Sequence, residues 1–524
     1  MVLFSRAIVY ILTFIATICS FSCSGETVSD FPKAEKEAKT LLLTDVPEDG
    51  SVLTLISMQG LLSNLSETNL LFNAGNCEKW LPYTGSELKT SQADGKKWDL
   101  KALLNEFARF FDGYILCDEE SAAAALTLAK QKNSIVVTPE YEETVREAGL
   151  KKTMDATGWS ELKLRFSREF GEIRRDVAFE QPTSFAPRLL DYAVMSGAYI
   201  HYDAKDSEKE HTNFFRFLQN NALVFGWNND VGEYGTLSSF SKLNACLIPA
   251  DHAYNLSVLS GYECEKLTQK TAVNAEEGKR TVCIMMSDGD NLQWFLGSYD
   301  DASHYGSDIR GSFPFSWGVP ACAADIAAPV TQKYYEEMDK NDAFVLSLSG
   351  MGYTFPSKWK SSRALEAMAG KLKEKMEKLD TLELLVLDDG GFDSKAVDTL
   401  IEKTGASGIF YIDYSNYAGL EGKTRFVDGK PVVSAKYMLW AGIEGCSPEE
   451  TAAKINALPS DPDDPGSYAF IIVHAWSGIN ESGEFAEGGD TMKAVQRLVQ
   501  NLDENTVLTT PHQFIERIAG LSDS

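Results

Sequence analysis

At 524 residues, with 44% hydrophobic and 24% charged side chains, the chain has ordinary globular composition and is too long for one core, which excludes a disordered or fibrous protein. A formal charge of −27 at pH 7 repels phosphate backbones and acidic lipid faces, which argues against nucleic acid as a partner, and neutral glycans or other uncharged substrates fit better. Seven of the nine cysteines lie beyond residue 23, scattered and without a C-x-x-C, and read as buried free thiols instead of a disulfide framework or zinc site.

In chain order, residues 1–22 place one basic residue, Arg6, before an apolar run at 7–21, and small residues Ser20 and Ser22 precede Cys23. This is the pattern of a secretory signal, too short for a membrane span. Its end resembles a bacterial lipoprotein signal, which implies diacylation of Cys23 and an outer-membrane or periplasmic address; cleavage and secretion is the alternative. Residues 23–39 are expected to be a lipid-anchored tether.

Three small α/β units follow, at 40–95, 96–180 and 181–273. Short apolar runs bounded by turn residues alternate with helical periodicity: LLLTDV, LTLISMQGLLSNL and TNLLFN in the first, GYILC and SIVVT with their helices in the second. The third has helix RLLDYAVMSG and strands AYIHYD, LVFGWN and ACLIPA.

From 274 to 524 the alternation becomes regular. Strands are predicted at 281–286, 313–319, 344–348, 382–387, 408–412, 435–439, 470–473 and 507–509, with helices between most of them. Such strand–helix cycles predict a (β/α)8 TIM-like barrel, or a seven-stranded variant, with an open doubly wound sheet as the alternative.

Barrel enzymes draw their chemistry from strand exits. The first exit offers Asp288, Asp290 and Asn291, with Trp294 nearby; the third offers Tyr353; the fourth, Asp388. The fifth gives Asp413, the sixth Trp440 and Glu444, and the seventh His474 and Trp476. Carboxylates beside aromatics suit glycosidic bond hydrolysis, in which one carboxyl protonates the leaving oxygen and another attacks or activates water. Sugar C–H faces stack on Trp and Tyr, while hydroxyls bond to Asp, Asn and His. Asp288 and Asp388 are expected as the catalytic pair, with Asp290, Asp413 and Glu444 in reserve, and Asn291, Trp294, Tyr353, Trp440, His474 and Trp476 as substrate contacts.

The segment GMGYTFP at 350–356 resembles the motif naming the GxGYxYP family of secreted bacterial glycoside hydrolases, with Phe355 in place of the second tyrosine. SDGDNLQW, VHAW, TPHQFIERI, SMQGLLSN, FGWNNDVGEY and NLSVLSGY look like the same family. The resemblance implies small N-terminal subdomains, a barrel-like catalytic domain and a carbohydrate substrate; the hydrolase reading needs no cofactor. It also hints that Glu233 reaches the site; a surface turn is the plainer expectation. Two other functions stay open. SDGD also resembles the first-strand aspartates of polysaccharide deacetylases, in which a divalent metal would use Asp290 and His474 as ligands. A surface glycan-binding protein without catalysis is the other.

Overall fold

The computed structural model describes residues 28–202, 207–270 and 279–521. The signal-like segment, Cys23 and the start of the expected tether lie outside the described residues. The rest of that tether is packed, not free. Ser29, Phe31 and Pro32 are buried, Asp30 pairs with Lys371 at 2.7 Å, and the Tyr192 hydroxyl donates to the Pro32 carbonyl at 2.7 Å. A buried phenylalanine makes the stretch a strap across the fold.

Three small parallel sheets build the N-terminal half. Thr40–Thr44 lies between Thr68–Phe72 and Glu87–Lys89, and Gly113–Leu116 between Ser134–Val137 and Lys152–Asp155. The third sheet runs Cys246–Ile248, Leu223–Gly226, Val177–Glu180, Tyr199–His201. Helix Ser51–Leu65 is buried on almost every side and packs on helix Leu190–Ser196, joining the first and third units.

The C-terminal half carries a curled half-barrel sheet. Its strands, in chain order, are β1 (Arg280–Met286), β2 (Phe315–Pro320), β3 (Asp342–Ser347), β4 (Glu383–Asp388), β5 (Gly408–Asp413), β6 (Thr424–Val427), β7 (Lys430–Ser434), β8 (Tyr437–Leu439), β9 (Tyr468–Val473) and β10 (Thr506–Leu508). The pairing order is β6-β7-β5-β4-β3-β2-β1-β9-β8, with β10 also on β1, and all pairs except β6–β7 are parallel. The chain between the two ends of this path forces the curl. The Ala435 N–H bonds to Tyr411 of β5, and the next N–H, of Lys436, bonds to Phe470 of β9. All eight expected strand positions are occupied. The pairing nevertheless does not trace a complete eight-stranded ring, because β9 contacts β1 directly and β10 does not intervene.

The uninterrupted apolar runs have a simple cause: both faces of the strands are covered. Alternate residues of β1 divide between two cores. Val282, Ile284 and Met286 face the helices, while Cys283 and Met285 join Leu385, Leu387, Phe410 and Ile412 inside the curl. Leu237, Phe240 and Leu247 of the third N-terminal unit belong to that same interior core. The unit therefore caps the mouth of the curled sheet, which decides where the site lies. All seven cysteines in the described residues are free, and six are buried.

Candidate active site

The exit of β1 is shaped by close backbone approach. A Cβ at Gly289 would sit 2.3 Å from the Gly318 Cα, so these two glycines let the first and second strand exits touch. That contact turns the chain, leaving Asp288 at φ +60 with the Ser287 hydroxyl donating to its carboxylate. Ser287 is fixed in turn by the Ala475 N–H, at 3.1 Å. Asn291 then caps the next helix, accepting from the Trp294 N–H at 3.1 Å.

The third exit forms a second arm. At Gly352 a Cβ would lie 2.6 Å from the Leu247 carbonyl oxygen, and Tyr353 exchanges two backbone hydrogen bonds with Leu247, at 2.7 and 2.9 Å. The GMGYTFP loop is thus an extra strand-like contact between the curled sheet and the third unit. Phe355 is fully buried against Tyr414, an apolar setting that suits its missing hydroxyl.

Between these arms lies a cavity of about 160 Å³. Leu348, Leu385, Leu387 and Ile412 form an apolar floor, Asp288, Asp290 and Asn291 one wall, and Tyr353 and Tyr417 the flanks. The facing wall comes from the third unit: Trp227, Pro249 and Glu233, the last on helix Gly232–Lys242. The Tyr353 hydroxyl donates to Glu233 Oε1 at 2.7 Å. Glu233 is solvent-accessible as a residue, but its carboxyl is turned into the cavity wall.

Three carboxyl groups thus share one small space, and all are pushed up. Asp290 is 7% exposed; burial, then the charges of Asp288 and Glu233, raise its pKa to about 8. Burial raises Asp288 against the pull of the Ser287 hydrogen bond and the neighbouring His474. Burial raises Glu233 too, opposed by the Tyr353 hydrogen bond and reinforced by Asp288. His474 is held below its ordinary value by burial, against the attraction of Asp288. Its ring stacks on Trp440 with centroids 3.9 Å apart and planes 6° apart, and Nδ1 meets the Ser477 hydroxyl at 2.8 Å. Tyr417 meets Trp440 edge-on at 5.0 Å, so the aromatic rim continues outward from the cavity.

Several sequence expectations are corrected. Asp388 is 0% exposed and walled off from the cavity: its carboxylate accepts from the Ser357 N–H at 3.2 Å, the Ser357 hydroxyl and the Asp389 N–H at 2.9 Å. It closes a loop and is not the partner of Asp288. Asp413 accepts from the N–H groups of Ser415 and Asn416, both at 3.1 Å, as a turn residue. Glu444 is exposed on a turn away from the cavity. Trp294 is buried beneath Trp476, rings 5.4 Å apart, and only Trp476, 39% exposed, can meet a ligand. Among the described residues no group of three His, Cys, Asp or Glu side chains is arranged to hold a metal ion. Sequence reasoning left Glu233 as an unfavoured possibility and missed Trp227 and Pro249. For Trp227 and Glu233 the only signal was the FGWNNDVGEY segment.

An α/β protein whose capped, curled sheet encloses a cluster of carboxyls is the class that fold and cavity define. Residues 278–519 match the family described as "GxGYxYP putative glycoside hydrolase C-terminal domain", residues 175–261 its third domain and residues 111–170 its second. The chain belongs to the GxGYxYP family. A crystal structure described as a putative hydrolase from Bacteroides thetaiotaomicron VPI-5482 superposes with a TM-score of 0.81 at 24% identity, covering 95% of this chain and 98% of that one. This likeness concerns the fold. A search of curated proteins finds no match.

Proposed function

We propose that the chain is a glycoside hydrolase acting on a glycan without acidic groups, with its site in the cavity beneath the third unit. The observation that carries this reading is Asp290, a carboxyl kept protonated near neutral pH inside a cavity that holds other carboxyls. A protonated acid beside an ionisable partner is what glycosidic cleavage requires. Asp290 gives its proton to the leaving oxygen. Asp288, whose ionised form the Ser287 hydroxyl and His474 favour against burial, attacks the anomeric carbon or activates water. Tyr353, Tyr417 and Trp227 supply faces for the ring, and Asn291 a polar contact. We further read the curled sheet as a distorted (β/α)8-type barrel, the three preceding units as its accessory domains, and the chain as an exported lipoprotein anchored through Cys23.

The experiment is a glycan panel offered to the purified protein, with Asp288→Asn and Asp290→Asn beside the wild type. Release of reducing ends that both variants lose supports the reading. Intact glycans after long incubation, with binding retained, refute it in favour of a binding protein.

A further inference from the structure

Hydrolysis uses two carboxyl groups, and this cavity holds three. Among the described residues no lysine or arginine lines it. The nearby Lys358 is committed elsewhere, to Asp389 at 2.6 Å and the Tyr234 hydroxyl at 2.9 Å.

Glu233 is not placed there by accident of a loose loop. Its neighbour Tyr234 donates to Asp389 Oδ2 at 3.0 Å, and Ser415 donates to Oδ1 at 3.1 Å. Burial opposes ionisation of Asp389, but Lys358 and Tyr234 outweigh it and hold the carboxyl below its ordinary value. This clasp pins the first turn of helix Gly232–Lys242 to the exit of β4. Tyr353 then fixes Glu233 Oε1, leaving Oε2 for a ligand. Asp290 is more than nine-tenths buried and lines the same cavity, and among the described residues no side chain is hydrogen-bonded to its carboxyl.

We propose that Glu233, facing Asp288 and Asp290, binds a protonated amino group, so that the sugar accepted here is a hexosaminide with a free amine. This rests on the carbohydrate reading of the same cavity. An ammonium donates up to three charge-assisted hydrogen bonds and supplies the positive charge that the lining lacks. The flanking faces of Trp227 and Tyr417 also attract a cation. An anionic sugar would meet like charges, and a neutral one would leave the third carboxyl uncompensated. The net charge of −27 draws such substrates toward the surface.

The test has a hydrolysis arm and a binding arm, both with the full chain. Chitosan oligosaccharides, their N-acetylated counterparts and neutral gluco-oligosaccharides are compared by kcat/KM. Glucosamine and galactosamine are compared with glucose and galactose by calorimetry. The amine should be preferred by about tenfold or more in each arm, the size of one charge-assisted hydrogen bond. Added salt should shrink the margin, Glu233→Gln should abolish it, and Glu233→Asp should restore part. Equal treatment of amine and neutral sugars, or a preference that survives Glu233→Gln, overturns the proposal. Hydrolysis without amine preference overturns it while sparing the hydrolase reading. Amine-selective binding without hydrolysis of any glycan does the reverse.

Discussion

Replacing Asp290 with asparagine should make the protein more stable and less active, and the stability gain should depend on pH in a specified way. The folded state holds this carboxyl at about 8, against 3.8 for an unperturbed aspartate. The folded chain therefore keeps a proton that the unfolded chain releases, so stability falls as pH rises from about 4 to about 8 and is level beyond. At about 1.4 kcal/mol per pKa unit, the penalty at pH 7 is about 4 kcal/mol as a ceiling. Asparagine mimics the protonated acid and does not titrate. At roughly 2–4 °C per kcal/mol for a domain of the C-terminal half's size, the variant's thermal midpoint should exceed the wild type's by up to about 15 °C at pH 7. The two midpoints should converge near pH 4. Melting curves for both proteins across that range provide the assay. A margin that is the same at pH 4 and pH 8 would refute the claim that folding holds Asp290 protonated.

Other outcomes are expected at neighbouring positions. Tyr353→Phe removes the donor that favours ionised Glu233, so its pKa should rise, and a carboxylate difference titration that leaves Glu233 unmoved would count against the wall geometry. Trp440→Ala uncovers His474 and should raise its depressed pKa toward 6.5, observable in the imidazole NMR titration of a protein with only six histidines. Gly289→Ala forces a side chain into the Gly318 backbone and should cost about 1–3 kcal/mol, read as a lower thermal midpoint; an unchanged midpoint would mean the two strand exits do not touch. Ser357→Ala strips the buried Asp388 of a donor and should destabilise by about 1–3 kcal/mol. Catalysis by the protein that remains folded should keep its pH dependence, whereas a shifted profile would return Asp388 to the reacting groups.

Much of the C-terminal half was legible because its strands are buried on both faces and so read as unbroken apolar runs, as at Cys283–Met286 against the two cores. The hairpin of β6 and β7 was missed although Asp428-Gly429 marks its tight turn, since Thr424–Val427 is only partly buried and lacks a clear alternation. Val177–Glu180 and helix Gly232–Lys242 escaped for related reasons. The first is a four-residue strand that ends in a buried glutamate, and the second is rich in glycine and serine. For the site, the SDGDN cluster pointed to Asp288 and Asp290. Asp388 looked equivalent because an aspartate after an apolar strand reads the same whether it meets a cavity or a serine 31 positions earlier. The opposite wall was hidden more deeply. Glu233 is brought in by the docking of a separate unit, through the pairing of Leu247 with Tyr353, and no local pattern encodes that contact.

The proton on Asp290 is the central claim, and leaving-group dependence tests it most directly. On an unactivated glycoside of the sugar identified by the panel, Asp290→Asn should lower kcat/KM by about 10²–10⁴-fold, the contribution of a positioned general acid. On the nitrophenyl glycoside of the same sugar, whose leaving group departs without protonation, the variant should retain most of the wild-type rate. Equal losses on both substrates, or no loss on either, would contradict the account.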